Sequence, residues 1–231
     1  MKLSHKIGKL FSREAHRRAA RRIDRKLHPI PLAPLLDKID KVRLRELQEG
    51  HATAKNYPAK YVRDIPRYLR MNIPRVQDLN LHRLPPQDVL DLGCGGGFFL
   101  FIAQQFGHRC LGLDMPDHPL FGELCDLLGV QRRVWKIQAM EPLPDLGRKF
   151  DLITAFSIGF NRKIDKSLWH PNEWDFFLRD LQDRHLKPRG KIFLAMNPQL
   201  DGDYYSDDVR DFFLSRGAEI ERERVSLLST L

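Results

Sequence analysis

Residues 89–100 read Val-Leu-Asp-Leu-Gly-Cys-Gly-Gly-Gly-Phe-Phe-Leu, an apolar run that meets glycine at positions 93, 95, 96 and 97 and then resumes as another apolar run. Few architectures accommodate that pattern. Glycine permits a tight turn and lets a ligand approach backbone where a Cβ would intrude, so the segment reads as a buried strand, a ligand-facing loop and the start of a helix. From residue 87 onward, short apolar runs alternate with amphipathic segments, the sequence sign of a parallel α/β sheet.

The apolar runs place strands at Asp88–Leu92, Cys110–Leu113, Val134–Gln138, Phe150–Phe156, Lys191–Met196, Ala218–Glu223 and Val225–Leu228. Between them, Leu120, Phe121, Leu124, Leu127 and Leu128 share one helix face, and Trp174, Phe177, Leu178 and Leu181 share another. Val209, Phe212 and Phe213 mark a third.

A glycine-rich strand-to-helix loop also occurs in dinucleotide enzymes, and spacing separates the two cases. A GxGxxG fingerprint starting at Gly93 requires glycine at position 98, where this chain has Phe98. The run is instead D-x-G-x-G-x-G from Asp91, followed 23 residues later by Asp114 at the end of the apolar CLGLD run. This combination resembles motif I and the following acidic position of class I S-adenosylmethionine-dependent methyltransferases. A carboxylate at Asp114 can accept both ribose hydroxyl hydrogens; the bland alternative is a turn-forming aspartate before Met115-Pro116.

The resemblance extends over roughly residues 85–231. Gln138-Ala139-Met140-Glu141-Pro142-Leu143-Pro144 is similar to the adenine-contacting loop after the family's third strand, with Ala139 where the family usually has aspartate. That leaves the backbone at Met140 or the side chain of Glu141 for the adenine contact. LKPRGKIFLAMN at 186–197 resembles the turn into strand five, with Arg189 replacing the first of two glycines. The implied fold is an α/β, Rossmann-like, seven-stranded sheet of order 3-2-1-4-5-7-6, last strand antiparallel, behind an N-terminal helical extension. The implied cofactor is S-adenosyl-L-methionine, bound by Asp91, Gly93, Cys94, Gly95, Gly97, Asp114, Met115, Met140, Glu141 and Phe156.

Because a sulfonium activates its own methyl group, the protein mainly aligns the reacting atoms, and a base is needed only for a poorly nucleophilic acceptor. The long aromatic and polar connection Ser157–Trp174 is the expected acceptor region. His170 is the candidate base, with Asn161 and Trp169 as candidate substrate contacts. His170 equally suits the start of a helix at Glu173 with Asn172 as its N-cap, and Trp169 suits packing. No N/D-P-P-Y/F tetrad or Pro-Cys follows strand four, which disfavours methylation of DNA bases, and Cys94 reads as a small loop residue rather than a nucleophile.

The N-terminal part is different in character. Residues 1–75 hold 20 Lys/Arg against 7 Asp/Glu, a charge of +13, whereas the remainder of the 231 residues carries −4. Leu3, Ile7, Leu10, Phe11, Ala15, Ala19, Ile23 and Leu27 recur at helical spacing among basic residues until His28-Pro29-Ile30-Pro31 breaks the pattern. Further helical patterns run from Leu35 to Glu49 and around Tyr61 to Met71. The expected division is a basic amphipathic helix and Pro-rich break at 1–30, a helical cap at 31–84 and the methyltransferase domain at 85–231. An apolar stripe flanked by cations suits an anionic membrane surface, although it suits packing on the domain or a second subunit equally well.

No apolar run reaches the roughly 18 residues of a membrane span, and the start shows no signal-peptide pattern, so a cytoplasmic protein, or one peripheral at the inner face of the membrane, is expected. Cys94, Cys110 and Cys125 form no CxxC pair, and no His/Cys cluster has metal-ligand spacing, so neither disulfide nor metal is expected. The functional expectation is methyl transfer to an oxygen or nitrogen of a small-molecule acceptor, such as a sugar or lipid-linked saccharide. The alternatives are RNA methylation guided by the basic arm, with nucleic acid the less favoured partner, and a non-catalytic cofactor-binding adaptor docking through residues 1–75. Oligomeric state leaves no sequence signature.

Overall fold

The computed structural model describes residues 13–53, 58–116, 118–157, 168–199 and 202–229. Strands β1 (Asp88–Leu92), β2 (Arg109–Asp114), β3 (Arg132–Val134), β4 (Phe150–Phe156), β5 (Leu186–Ala195), β6 (Glu219–Glu221) and β7 (Arg224–Leu228) build one seven-stranded sheet. Its order is β3-β2-β1-β4-β5-β7-β6, parallel from β3 through β5, with β7 antiparallel to both its neighbours. Every residue of the central strand β1 is buried, which explains why it reads as a continuous apolar run rather than an alternating one.

Three strands depart from the expected bounds by more than one residue, each at a place where the pairing partner sets the end. Expected at Val134–Gln138, β3 lies instead at Arg132–Val134; as an edge strand it has only β2 to pair with, and after the Trp135 N–H donates to the Asp114 carbonyl at 2.8 Å the chain leaves the sheet. Strand β5 begins at Leu186, opposite Phe150, and its ladder to β4 is interrupted before Lys191 pairs with Leu152. In that interruption Arg189 adopts φ +62°, the left-handed conformation for which a glycine was expected. Strand β6 covers only Glu219–Glu221 of the expected 218–223 because the turn to β7 begins there.

The N-terminal segment comprises α1 (Arg13–Leu27), α2 (Leu32–Asp37), α3 (Lys41–Gly50), α4 (Ala59–Arg63) and α5 (Ile65–Asp78). The single helix expected from Leu35 is divided in two by Asp40, whose carboxylate accepts the N–H groups of Val42 and Arg43 at 2.9 and 3.1 Å and starts α3. Pro66 lies in the first turn of α5, where its missing N–H costs nothing, but Pro74 lies inside it and the helix continues to Asp78.

Tyr68 of α5 lies 5.6 Å from the Phe98 ring of α6 (Phe98–Gln104), the helix leaving the glycine loop, and Leu69 and Val76 belong to the same core cluster as α6 and α7 (Pro119–Leu127). The helical segment therefore shares one hydrophobic core with one face of the sheet. The other face packs against α8 (Pro171–Asp180) and α9 (Asp207–Ser215) around Trp174, Phe177 and Phe213.

Helix α1 docks through charge rather than through its apolar stripe. Arg21 donates to Glu221 at 2.8 Å, Arg25 lies 3.3 Å from Asp78 and Arg83 lies 3.1 Å from Asp24. The Gln77 amide donates to the His28 carbonyl at 2.8 Å. Ile23 and Leu27 point outward with 58% and 69% of their surfaces exposed. Leu3, Ile7, Leu10 and Phe11 lie outside the described residues.

Candidate active site

The site is built where β1, β2 and β4 end, the usual ligand-binding edge of a parallel sheet. Beyond Leu92 the Gly93 N–H donates to the Leu113 carbonyl at 2.7 Å, tying the loop to β2. Gly97 caps α6 at φ +76°, and a Cβ there would stand 3.2 Å from both Cys125 Sγ and Val130, so the position demands glycine on both counts. Gly95, at φ +53°, is different: a Cβ there would make an ordinary contact with the Phe121 ring, at 3.9 Å, so no neighbouring atom excludes it.

Two carboxylates flank the loop. Asp114, at the end of β2, accepts the Gly95 N–H at 2.6 Å and the Met115 N–H at 2.8 Å. It thereby shapes the glycine loop, and a carboxylate retains lone pairs for ligand hydroxyls. Asp91 is buried beneath the loop and receives a hydrogen bond from the Thr154 hydroxyl of β4 at 2.7 Å. Burial drives its carboxyl up to about 7; the Thr154 hydrogen bond and the nearby positive charge of Arg75 oppose the rise, and Asp114 adds to it.

Arg75 reaches this end of the sheet from α5. One guanidinium nitrogen donates to Asn72 Oδ1 at 2.9 Å, and the group lies 4.4 Å from the centre of the Phe156 ring, at the end of β4. Asn72 is held in turn by donating to the Tyr68 carbonyl at 2.8 Å. Phe156 also contacts the Phe99 ring, at 4.9 Å. None of Arg75, Asn72 and Thr154 was legible as a site residue, since each arrives from a distant segment or from the interior of a strand and belongs to no local motif.

The remaining expected residues take the following places. The Cys94 thiol is raised well above its usual range, first by its contact with Cys125 and then by burial, which suits a loop residue and not a nucleophile. Met115 is exposed beside Asp114, and its carbonyl accepts from Arg132 at 2.7 Å. Met140 is exposed at φ +61°, and the Glu141 carboxylate accepts from the Gln138 amide at 2.7 Å.

His170 is exposed and is itself the N-cap of α8, with Pro171 in the first turn; its N–H donates to Glu173 at 3.0 Å. The expected cap at Asn172 is thus two residues late, because Pro171 already has helical geometry. Trp169 is buried, its ring 5.3 Å from Trp174 and 5.1 Å from Phe177. Asn161, and most of the Ser157–Trp174 connection, lie outside the described residues.

Residues 90–194 match the family model of a methyltransferase domain, a span that holds the glycine loop, Asp91, Asp114 and strands β2 to β4. Residues 90–194 carry a methyltransferase domain. The residues present fit S-adenosylmethionine as the cofactor: a glycine loop, an acid at each side and an aromatic ring at Phe156.

Among solved structures, the chain resembles the amino pentose methyltransferase CalS10 from Micromonospora echinaspora at 24% identity and TM-score 0.42, over 55% of this chain and 50% of that one. It also resembles the PH0226 protein from Pyrococcus horikoshii at 22% identity and TM-score 0.42, over 58% and 64%. DesVI from Streptomyces venezuelae matches at 19% identity and TM-score 0.37, over 68% and 58%. The chain thus spans about half the length of the first of these. No curated protein matches it.

Proposed function

We propose that this chain transfers a methyl group from S-adenosylmethionine to an oxygen or nitrogen of a small-molecule acceptor. The observation that carries the reading is the convergence of Asp91, Asp114 and the glycine loop at the carboxyl ends of β1 and β2. The cofactor supplies a sulfonium-activated methyl group. The chain's own residues would hold it: the loop backbone, Asp114 for the ribose hydroxyls, and Met140 and Glu141 for the adenine. Buried Asp91 complements positive charge. With the methyl group already activated, positioning of the acceptor is the remaining task of the protein, and His170, exposed where α8 begins, is available as a base when the acceptor is a hydroxyl.

A sugar or lipid-linked saccharide suits both this site and helix α1. The outward Ile23 and Leu27, beside exposed Arg22 and Lys26, form an apolar strip bordered by cations, which supports contact with an anionic bilayer at the inner membrane face. RNA is less well supported, because Arg21 and Arg25 are already engaged by Glu221 and Asp78. Among the described residues no helix is long and apolar enough to cross a membrane.

The test is transfer of labelled methyl from the cofactor into fractionated cell extract, with and without nuclease. Label in the small-molecule or lipid fraction that survives nuclease supports the reading. Label lost on nuclease treatment would replace it with RNA methylation, and cofactor binding without transfer to any fraction would replace it with a cofactor-binding adaptor.

A further inference from the structure

Arg75 is an unusual residue to find at this edge of the sheet. It comes from the helical segment outside the matched 90–194 span, and burial lowers its guanidinium from the usual arginine range, an effect that nearby Asp91 partly offsets. Its described partners are a neutral amide oxygen on Asn72 and the face of Phe156; no described carboxylate forms an ion pair with it. Arg75 is half-buried, and a cation partly withdrawn from water with no ion-pair partner gains from an anion that a ligand brings to it. The Asn72 side chain, clamped to the Tyr68 carbonyl, fixes the guanidinium in that position.

The register of the sheet says which part of the ligand lies nearby. Leu92 pairs with Ala155, so Gly93 and Phe156 are the next residues at the same level, and Arg75 over Phe156 stands beside the first turn of the glycine loop. Asp91 lies just beneath. The ribose-directed acid, Asp114, is on β2, on the far side of β1 from Phe156. A ligand with its nucleoside toward β2 therefore extends its other end toward Arg75 and Asp91. That end of S-adenosylmethionine is an amino acid, with an ammonium and a carboxylate on the same carbon, and Asp91 and Arg75 offer one charge of each opposite sign.

We propose that Arg75 binds the α-carboxylate of the cofactor, so that the helical segment completes the cofactor site and the 90–194 unit alone cannot distinguish the amino-acid end. This rests on the S-adenosylmethionine reading above. Arg75 is a binding residue for the charged tail, held by Asn72, and the pair tunes the site for a zwitterion rather than for a simple cation.

The test compares S-adenosylmethionine with decarboxylated S-adenosylmethionine, which keeps adenosine, sulfonium and amine, by calorimetry on the full chain. Wild type is expected to bind the intact cofactor at least tenfold tighter. Arg75→Met should weaken the intact cofactor tenfold or more while binding of the decarboxylated one stays the same or tightens, and Arg75→Lys should keep part of the preference. Equal loss for both ligands in Arg75→Met, or no loss for either, overturns the proposal. If Arg75→Met does not fold, Arg75→Lys decides: a preference below the wild-type value supports the assignment and an unaltered one overturns it. Equal wild-type affinities overturn this inference alone, whereas a wild type that binds neither ligand overturns the cofactor reading with it.

Discussion

Thr154 donates its hydroxyl to Asp91 at 2.7 Å between adjacent strands, and this contact lets a carboxyl group lie buried under the glycine loop. It is a partial remedy, since burial still holds the Asp91 carboxyl up at about 7. The pairing follows from sheet register, because Asp91 stands opposite Thr154 in the β1–β4 ladder.

The first prediction concerns proton release. Without ligand, Asp91 takes up a proton as the pH falls through about 7. A cofactor that brings a sulfonium and an ammonium favours the carboxylate, so its binding should release a proton near neutrality. Below pH 7 the affinity should fall by up to about tenfold per pH unit. Calorimetry at pH 6.5 in buffers of different ionisation enthalpy measures the proton count; a count of zero would exclude the role given to Asp91.

The same group sets a stability trend in the absence of ligand. A folded-state value raised above the unfolded one means the native state holds the extra proton, so the contribution is fully present below the unfolded value and is lost as pH rises through about 7. Asp91→Asn removes the titration and keeps an acceptor for Thr154. Its thermal midpoint should exceed that of wild type at pH 8 but not at pH 4, and its cofactor affinity should drop. A lower midpoint at pH 8 would contradict this.

Loop substitutions separate the roles of Gly95 and Asp114. Gly95→Val forces a β-branched residue into φ +53°, which should distort the loop that Asp114 holds, so binding should be lost. Asp114→Ala removes the acceptor of two backbone N–H groups and of the proposed ribose contact, which should cost on the order of 1.5 to 3 kcal/mol of affinity for each charge-assisted hydrogen bond lost. Titration with S-adenosylmethionine and with NAD checks both; NAD binding in wild type is not expected, because Phe98 replaces the third dinucleotide glycine.

His170→Ala should leave cofactor affinity unchanged, because His170 stands at the start of α8 and outside the glycine loop. With a hydroxyl acceptor, turnover should fall roughly a hundredfold or more. Unaltered turnover would reduce His170 to its part in the helix start, where its backbone N–H meets Glu173.

Arg189→Gly should stabilise the protein by about 1 kcal/mol, since it relieves a side chain held at φ +62°. Denaturant unfolding measures the change. A destabilised variant would mean that the arginine side chain makes a contribution larger than its backbone strain.

Ile23→Glu with Leu27→Glu should abolish binding to vesicles containing anionic lipid while leaving the melting temperature near that of wild type, because both side chains face outward. Loss of stability would instead identify the strip as a packing surface.

Local chemistry explains how much was readable in advance. The run from Val89 to Leu100 specifies strand, loop and helix through properties of consecutive residues, and the backbone at Gly97 tolerates nothing else, so the loop, Asp91 and Asp114 were found from spacing. Strands β1 and β4 match the expected bounds to the residue because β1 runs from Gln87 into the glycine loop and β4 lies between Lys149 and Ser157. The end of β3 was not, because an edge strand stops where pairing stops. Only the tertiary structure decided that α1 docks by its arginines and turns Ile23 and Leu27 outward, since Glu221 and Asp78 lie about 200 and 50 residues further along the chain. Likewise only the fold brings Arg75 beside Asp91 and Thr154 beneath the loop. Periodicity along a chain reports which residues are buried, whereas the partner that a buried charge meets depends on strand order and helix packing, which no local window contains.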